Sequence, residues 1–238
     1  MVRSCNDALV TRKELASIEL FRGLSASALD DVRTFARRVI FAKEARIFDQ
    51  GEGRVRAHAL LEGGVRISQS GSDGAQIVLR LIAPGEIFGT IAAFADRRYP
   101  GDADAMLRSV EVSWSESDLT KLMNRNPQIA LNALRILGRR LHETQDRLRE
   151  VSTQPVERRV AHTLLRLVHQ FGRVTSLGTT IDLPLRRRDV ADIAGTTLYS
   201  VSRVLTNWEN RDWLITREQK LTVLKLNDIR TIAEANAE

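Results

Sequence analysis

The sequence is poor in thiol: 238 residues contain one cysteine, Cys5. One thiol closes no internal disulfide and cannot hold an iron–sulfur cluster through four thiolates. Its place near the N-terminus makes an inert thiol the expectation for Cys5 before a redox sensor. No apolar run approaches eighteen residues, so no membrane span is expected. The opening MVRSCNDALVTRKEL lacks the apolar core of a secretory signal, and a cytoplasmic protein is expected. There is no P-loop, no His/Cys cluster at metal-ligand spacing and no nucleophile elbow. Acidic residues are scattered over helix faces, where solvation explains them, so no enzyme is expected. Internal repeats and low-complexity segments are missing too.

What is present is enough apolar material (43%) to bury a core. The net charge of +6 favours an anionic partner without identifying one. Residues 12–37 read as helical, with Leu15, Ile18 and Leu20 before a break at Gly23, and Ser25 capping a second segment. From about 38 to 115 the period changes. Strand-like runs at 39–41, 58–62, 65–70, 76–82 and 110–114 alternate with glycine turns, including the hairpin candidate SGSDG at 70–74. Many short strands at close spacing suggest a small antiparallel barrel or jelly roll.

Helical periodicity returns after Ser117. Leu134, Leu137, Leu141, Thr144, Leu148 and Val151 follow one another at spacings of 3, 4, 3, 4 and 3. That is a heptad seam, narrower than an ordinary buried face needs, and it fits pairing with a second copy of the helix. The alternative is a single amphipathic helix lying on its own barrel. Pro155 marks a hinge. A further helix, a strand within 179–185 and a turn plus strand within 217–226 follow, with Asn227 as a cap for the last helix.

The stretch Arg186–Ile215 is the most specific. Val190, Ile193 and Ala194 share one face of a short helix. Gly195 then permits a tight turn, and Thr196 or Thr197 can cap a second helix. This second helix, 197–206, turns Val201, Val204 and Leu205 inward and leaves Leu198, Tyr199, Ser202 and Arg203 outside. The pattern is a helix-turn-helix whose second helix enters the major groove of DNA; flanking strands make it winged.

Three segments in this order, LFRGLSASALDDV (20–32), PGEIFG (84–89) and GTTLYSVSRVL (195–205), joined by a heptad helix, resemble the cAMP receptor protein/FNR family of bacterial transcription regulators. The resemblance implies an α+β chain. Residues 12–126 would form an antiparallel β-roll sensor domain like a cyclic-nucleotide-binding jelly roll. Residues 127–152 would form a long dimerisation helix, and 153–238 a C-terminal winged helix-turn-helix. It implies a cytoplasmic homodimer that reads a palindromic site on double-stranded DNA and contacts RNA polymerase, with no membrane partner. The competing reading is a metabolite-binding module that controls a protein partner.

In the family, an arginine matching Arg203 reads guanine through two parallel hydrogen bonds. Ser202 before it resembles the FNR-type branch. Tyr199 replaces a base-reading glutamate and Leu198 an arginine, so the half-site should keep a guanine yet deviate from the familiar consensus forms. Thr197 opens the same surface. Arg187, Arg188, Ser200 and Lys220 suit phosphate contacts, their alternative being ordinary surface charge.

The resemblance also marks an effector pocket at Gly89, Thr90, Gly101, Asp102, Ala103 and Thr144. Gly89 is kept, but Thr90 stands where a ribose-binding glutamate would, and Gly101 with Asp102 where a phosphate-binding pair would. A carboxylate there repels a phosphodiester, so cAMP is not expected. Substituting Arg97 or Arg98 for the missing pair would need a loop shift. The segment RYPGDADA (98–105) resembles those of regulators that answer nitrogen oxides or low oxygen, and haem remains as an alternative cofactor, with His58 or His142 as axial ligand; an effector-free protein is another. Thr144 either contacts an effector or fixes helix register.

Overall fold

The structure, a computed structural model, describes residues 10–71, 76–90 and 97–235. The expectations for Cys5 and for the tip of the 70–74 hairpin lie outside them. The contacts divide the chain into two compact units, residues 1–142 and 143–238.

In the first unit, α1 (Arg12–Ser17) starts with a capping box: Thr11 Oγ1 accepts from the Glu14 amide, and Glu14 accepts from the Thr11 amide. One 3₁₀ turn (Glu19–Phe21) precedes α2 (Ala26–Thr34), whose cap is Ser25, as expected. The helical stretch is shorter than its apolar pattern predicts, because Arg37 already opens a strand. The strands are β1 (Arg37–Phe41), β2 (Arg46–Phe48), β3 (Arg56–Glu62), β4 (Val65–Ser70), β5 (Gln76–Ile82), β6 (Ile87–Phe88), β7 (Asp102–Ala105) and β8 (Ser109–Ser115). They form two antiparallel four-stranded sheets, ordered β1-β8-β3-β6 and β2-β7-β4-β5, which make the β-roll. The strands missed from sequence, β2, β6 and β7, are two to four residues long, too short for alternation to show.

Strand β8 explains how the roll is layered. Its Val110, Val112 and Trp114 share one face, and Val112 and Trp114 pack with Leu15, Phe21 and Val32. Trp114 donates Nε1–H to the Val32 carbonyl at 3.0 Å. The helices α3 (Glu116–Arg125) and α4 (Pro127–Thr153) complete that core with Leu119, Leu122, Ile129 and Ile136. The opposite face of β8 carries Ser109, Glu111 and Ser113. Apolar–polar alternation predicts a solvated polar face, yet all three are buried inside the roll.

Helix α4 presents two faces. Ile129 and Ile136 are buried, whereas Leu134, Leu137, Leu141, Leu148 and Val151 are 47–68% exposed. The heptad seam is therefore not covered by this chain, against the alternative of a helix lying seam-down on its own barrel. Thr144 is exposed on the same helix.

In the second unit, α4 ends at Thr153 and Pro155 precedes α5 (Val156–Phe171). Then come β9 (Gly172–Val174), β10 (Thr179–Ile181), α6 (Arg187–Ala194), α7 (Leu198–Asn210), β11 (Leu214–Arg217), β12 (Lys220–Val223) and α8 (Leu226–Glu234). The wing is a four-stranded antiparallel sheet, β11-β12-β10-β9, larger than the flanking strands expected. Its tip is a two-residue hairpin in which Glu218 and Gln219 both take positive φ, 49° and 62°, as a type I′ turn demands. Lys225, not Asn227, occupies the cap position of α8, and no side chain caps it.

Candidate nucleic-acid interface and sensor pocket

Helix α6 ends where Gly195 adopts φ 62°, ψ 46°, and the Thr196 amide closes back on the Ala191 carbonyl at 3.0 Å. Two choices were open for the next cap; Thr197 takes it, accepting from the Ser200 amide at 3.2 Å. Val201, Val204, Leu205 and Trp208 anchor α7 in the core, and Trp208 Nε1–H donates to Glu157 at 2.9 Å. Tyr199, Ser202, Arg203 and Thr206 consequently line one outer stripe, since residues three and four apart share a helix face. Tyr199 is 76% exposed and Leu198 beside it is exposed too. Arg203 is exposed and forms no ion pair or hydrogen bond among the described residues. Ser200 accepts from the Thr197 hydroxyl at 3.1 Å.

The other basic residues singled out from sequence have partners of their own. Arg187 donates to the Ser202 carbonyl (3.3 Å), to Thr206 Oγ1 (3.0 Å) and to Glu209 Oε2 (2.8 Å), tying the start of α6 to α7. It braces the recognition helix at the border of its outer stripe. Arg188 pairs with Asp192 one turn on, at 3.0 Å. Lys220 lies 2.7 Å from Asp182. The Lys220 hydrogen bond, with the charges of Lys220 and Arg173, holds the Asp182 carboxyl below its usual range despite some desolvation.

Two braces escaped the sequence reading. Arg147 on α4 donates to the Ile193 carbonyl at 2.9 Å, and Arg159 on α5 to the Gly195 carbonyl at 3.0 Å. Both satisfy carbonyls at the C-terminal end of α6, where helix termini favour cations. Nothing in local spacing marks them, because their acceptors are backbone atoms some 36–46 positions away.

Inside the β-roll, the corner around Gly89 is filled. An added Cβ at Gly89 would lie 2.9 Å from the His58 ring and 3.1 Å from the Tyr99 ring. Phe48 stacks on Tyr99 at 3.7 Å, and His58 on Phe88 at 5.0 Å. Thr90 is buried and accepts from Arg140 at 3.4 Å. Asp102 pairs with Arg46 at 2.5 Å and accepts from the Gln50 amide at 2.8 Å. Ala103 is fully buried in β7, and a Cβ on Gly101 would come within 2.4 Å of the Ser68 carbonyl oxygen. Among the described residues, then, the expected effector residues of the roll are occupied in packing and pairing one another; residues 91–96 of that segment lie outside them.

His58 has Nδ1 2.5 Å from Glu111 Oε2 and Nε2 2.9 Å from the Tyr99 hydroxyl, all three side chains being buried. An iron at either nitrogen would have to displace one of these partners, so His58 does not fit an axial haem ligand. Burial raises the Tyr99 phenol to about 12, which keeps it protonated. His142 is exposed on α4. A cleft of about 590 Å³ opens between β1, residues 52–56 and Arg97, with His58, Tyr99 and Glu111 in its wall.

An antiparallel β-roll followed along the chain by a long helix and a winged helix-turn-helix with an unengaged recognition edge defines a class of DNA-binding transcription regulator. Residues 38–126 match the model of the cyclic nucleotide-binding domain, and residues 158–232 that of the Crp-like helix-turn-helix domain. The cyclic AMP receptor protein of Thermus thermophilus is 30% identical over 186 residues, 78% of this chain and 83% of that protein. A CRP-like cAMP-activated global transcriptional regulator of Mycobacterium tuberculosis is 26% identical over 200 residues, covering 84% and 89%. The structure of FixK2 from Bradyrhizobium japonicum superposes with a TM-score of 0.74 at 23% identity, covering 85% of this chain and 99% of that one. The chain belongs to the Crp/Fnr family of transcription regulators.

Proposed function

We propose that the protein is a homodimer that binds a palindromic DNA site, its two copies of α7 each placing the Ser202–Arg203 edge in the major groove. The observation that carries this reading is the coexistence of an unpaired Arg203 on the outer stripe of α7 with an uncovered leucine seam on α4. A free guanidinium fork can spend both donor pairs on guanine O6 and N7, for about 1–3 kcal/mol of discrimination. Tyr199 and Leu198 flank it and offer stacking and a thymine-methyl contact, not the carboxylate that selects cytosine, so the half-site departs from the familiar forms. Thr197, Ser200, Arg188 and Lys220 reach phosphates, the last two by exchanging an internal carboxylate for a DNA one. Arg187 braces α7 through Ser202, Thr206 and Glu209 and reaches a phosphate by the same exchange.

The roll senses something other than cAMP, or the protein acts without an effector. Support comes from Asp102 and Thr90, whose chemistry opposes a cyclic phosphodiester, and from the aromatic filling beside Gly89. Thr144 on the seam sets helix register. The protein works in the cytoplasm, on promoters, in contact with RNA polymerase. Enrichment of a random DNA library on the purified protein tests the reading. The expected product is an inverted repeat with a guanine in each half-site, bound by a dimer in sedimentation. Enrichment of no sequence, or binding by a monomer, overturns it.

A further inference from the structure

The open cleft of the roll is chemically unlike the filled corner. None of Gly89, Thr90, Gly101, Asp102 or Ala103 lines it; four guanidinium groups do, those of Arg37, Arg54, Arg56 and Arg97. Three carboxylates share its wall, those of Glu52, Glu111 and Glu116, and two of them are paired within it. Glu111 is held by His58, Glu116 stands 3.5 Å from Arg97, and Glu52 accepts at 3.4 Å from the Asp49 amide. Arg37 and Arg54 have no ion pair among the described residues. Arg56 is half-buried, and its Nε and Nη2 donate to Ser113 Oγ and the Ser113 carbonyl at 3.0 and 2.9 Å, both neutral acceptors.

A half-buried cation without a contacting carboxylate, beside a second cation, is an unfavourable arrangement for an empty site. Burial, then the charge of Arg37, hold the Arg56 guanidinium below its ordinary pKa. An anion lodged between them would relieve both effects. Apolar side chains, Val39, Phe41, Ile47 and Val55, line the cleft next to these forks. The volume is that of a small-molecule site.

We propose that this cleft binds a small organic dianion, a dicarboxylate or a phosphate monoester on a short apolar body, with its charged oxygens on Arg37, Arg54 and Arg56 and its body over Val39 and Phe41. Two closely set guanidinium forks match paired anionic oxygens, and charge-assisted hydrogen bonds of this kind are the strong ones. A regulatory role for this ligand rests on the reading of the roll as a sensor of something other than cAMP; the binding itself does not.

The test uses the full chain and four probes: succinate, glutarate, phenyl phosphate and inorganic phosphate, with neutral succinamide as control. Calorimetry and thermal unfolding should show at least one dianion binding and raising the unfolding midpoint, while succinamide does neither. The carboxylate and phosphate arms tell the two sources apart. The double substitution Arg37→Gln/Arg54→Gln, at exposed positions, should weaken binding about tenfold without lowering the unliganded midpoint, since it removes repulsion from Arg56. Absence of binding by every dianion, equal binding by the double variant, or equal binding of succinamide would overturn the assignment. The selected DNA site is titrated in the same samples. DNA binding without any dianion binding removes the cleft assignment alone, whereas dianion binding without DNA binding upholds it and removes the DNA reading.

Discussion

The outer edge of α7 and the Gly89–Asp102 corner of the β-roll are opposite in polar satisfaction. On α7, Tyr199 and Arg203 project from a helix whose other face is locked into the core, and no side chain among the described residues claims them. In the roll, Asp102 and Thr90 face cations of their own chain, and the aromatic rings of Phe48, His58, Tyr99 and Phe88 fill the space beside them. Both regions match a family pattern for ligand contact. The contrast teaches that a matching position is most available to a ligand where the chain leaves its chemistry unspent.

The most forceful way to sharpen this contrast is to remove the second copy of α7. Leu137→Glu/Leu141→Glu places charges on the exposed seam, and should turn a dimer into a monomer in sedimentation. Loss of the linked second contact should then weaken binding to a palindromic DNA site by about 10²–10⁴-fold. Unchanged affinity would mean that one recognition edge suffices.

Next in size is the interior of the roll. Glu111→Ala strips His58 of its buried partner and should cost about 3 kcal/mol of unfolding free energy, read by denaturant titration. The base preference of the protein should not move. A change in preferred DNA sequence at unchanged stability would break the division between a structural corner and a reading edge.

Arg203→Ala should erase preference at one base position in each half-site, a loss of about 1–3 kcal/mol per half-site against the cognate sequence with little effect on random DNA. Arg187→Ala is its counterpart at the brace of the helix. With Ser202, Thr206 and Glu209 released together, thermal stability should fall by about 1–2 kcal/mol, and affinity for every sequence should fall in parallel. Competition binding against single-base variants separates the two outcomes.

The smallest effects belong to Lys220. Its ion pair with Asp182 is half-exposed, so the pair itself adds little stability. Lys220→Ala should lower the salt dependence of DNA binding by about one unit of slope, equally for all sequences. Asp182→Asn should release the ammonium for a phosphate and strengthen binding by about two- to fivefold. If neither variant alters the salt slope, Lys220 serves the wing and not the DNA.

Much of this was legible before any coordinates. The turn at Gly195, the inward set Val201, Val204 and Leu205, and the outward set Leu198, Tyr199, Ser202 and Arg203 follow from a 3.6-residue period, which is a local property. The cap at Ser25 and the exposed heptad seam are local in the same sense. The roll was legible as a class of architecture but not in its interior. Alternation along β8 assigns Glu111 and Ser113 to water, yet two facing sheets enclose them, and only the register that sets His58 opposite Ser113, two residues from Glu111, supplies their partners. Short strands such as β6 and β7 have no period to detect.

Periodicity, capping residues and the order of segments along the chain determined the helix-turn-helix, its outward-facing edge, and membership of a family, because each rests on neighbours within a few positions. Which arginines stay free was decided by tertiary structure alone. Arg187 meets Glu209, Arg46 meets Asp102, and Arg203 meets no carboxylate among the described residues, because a charge is neutralised by whatever folding brings within a few ångströms, and that distance is set by packing between segments remote in sequence.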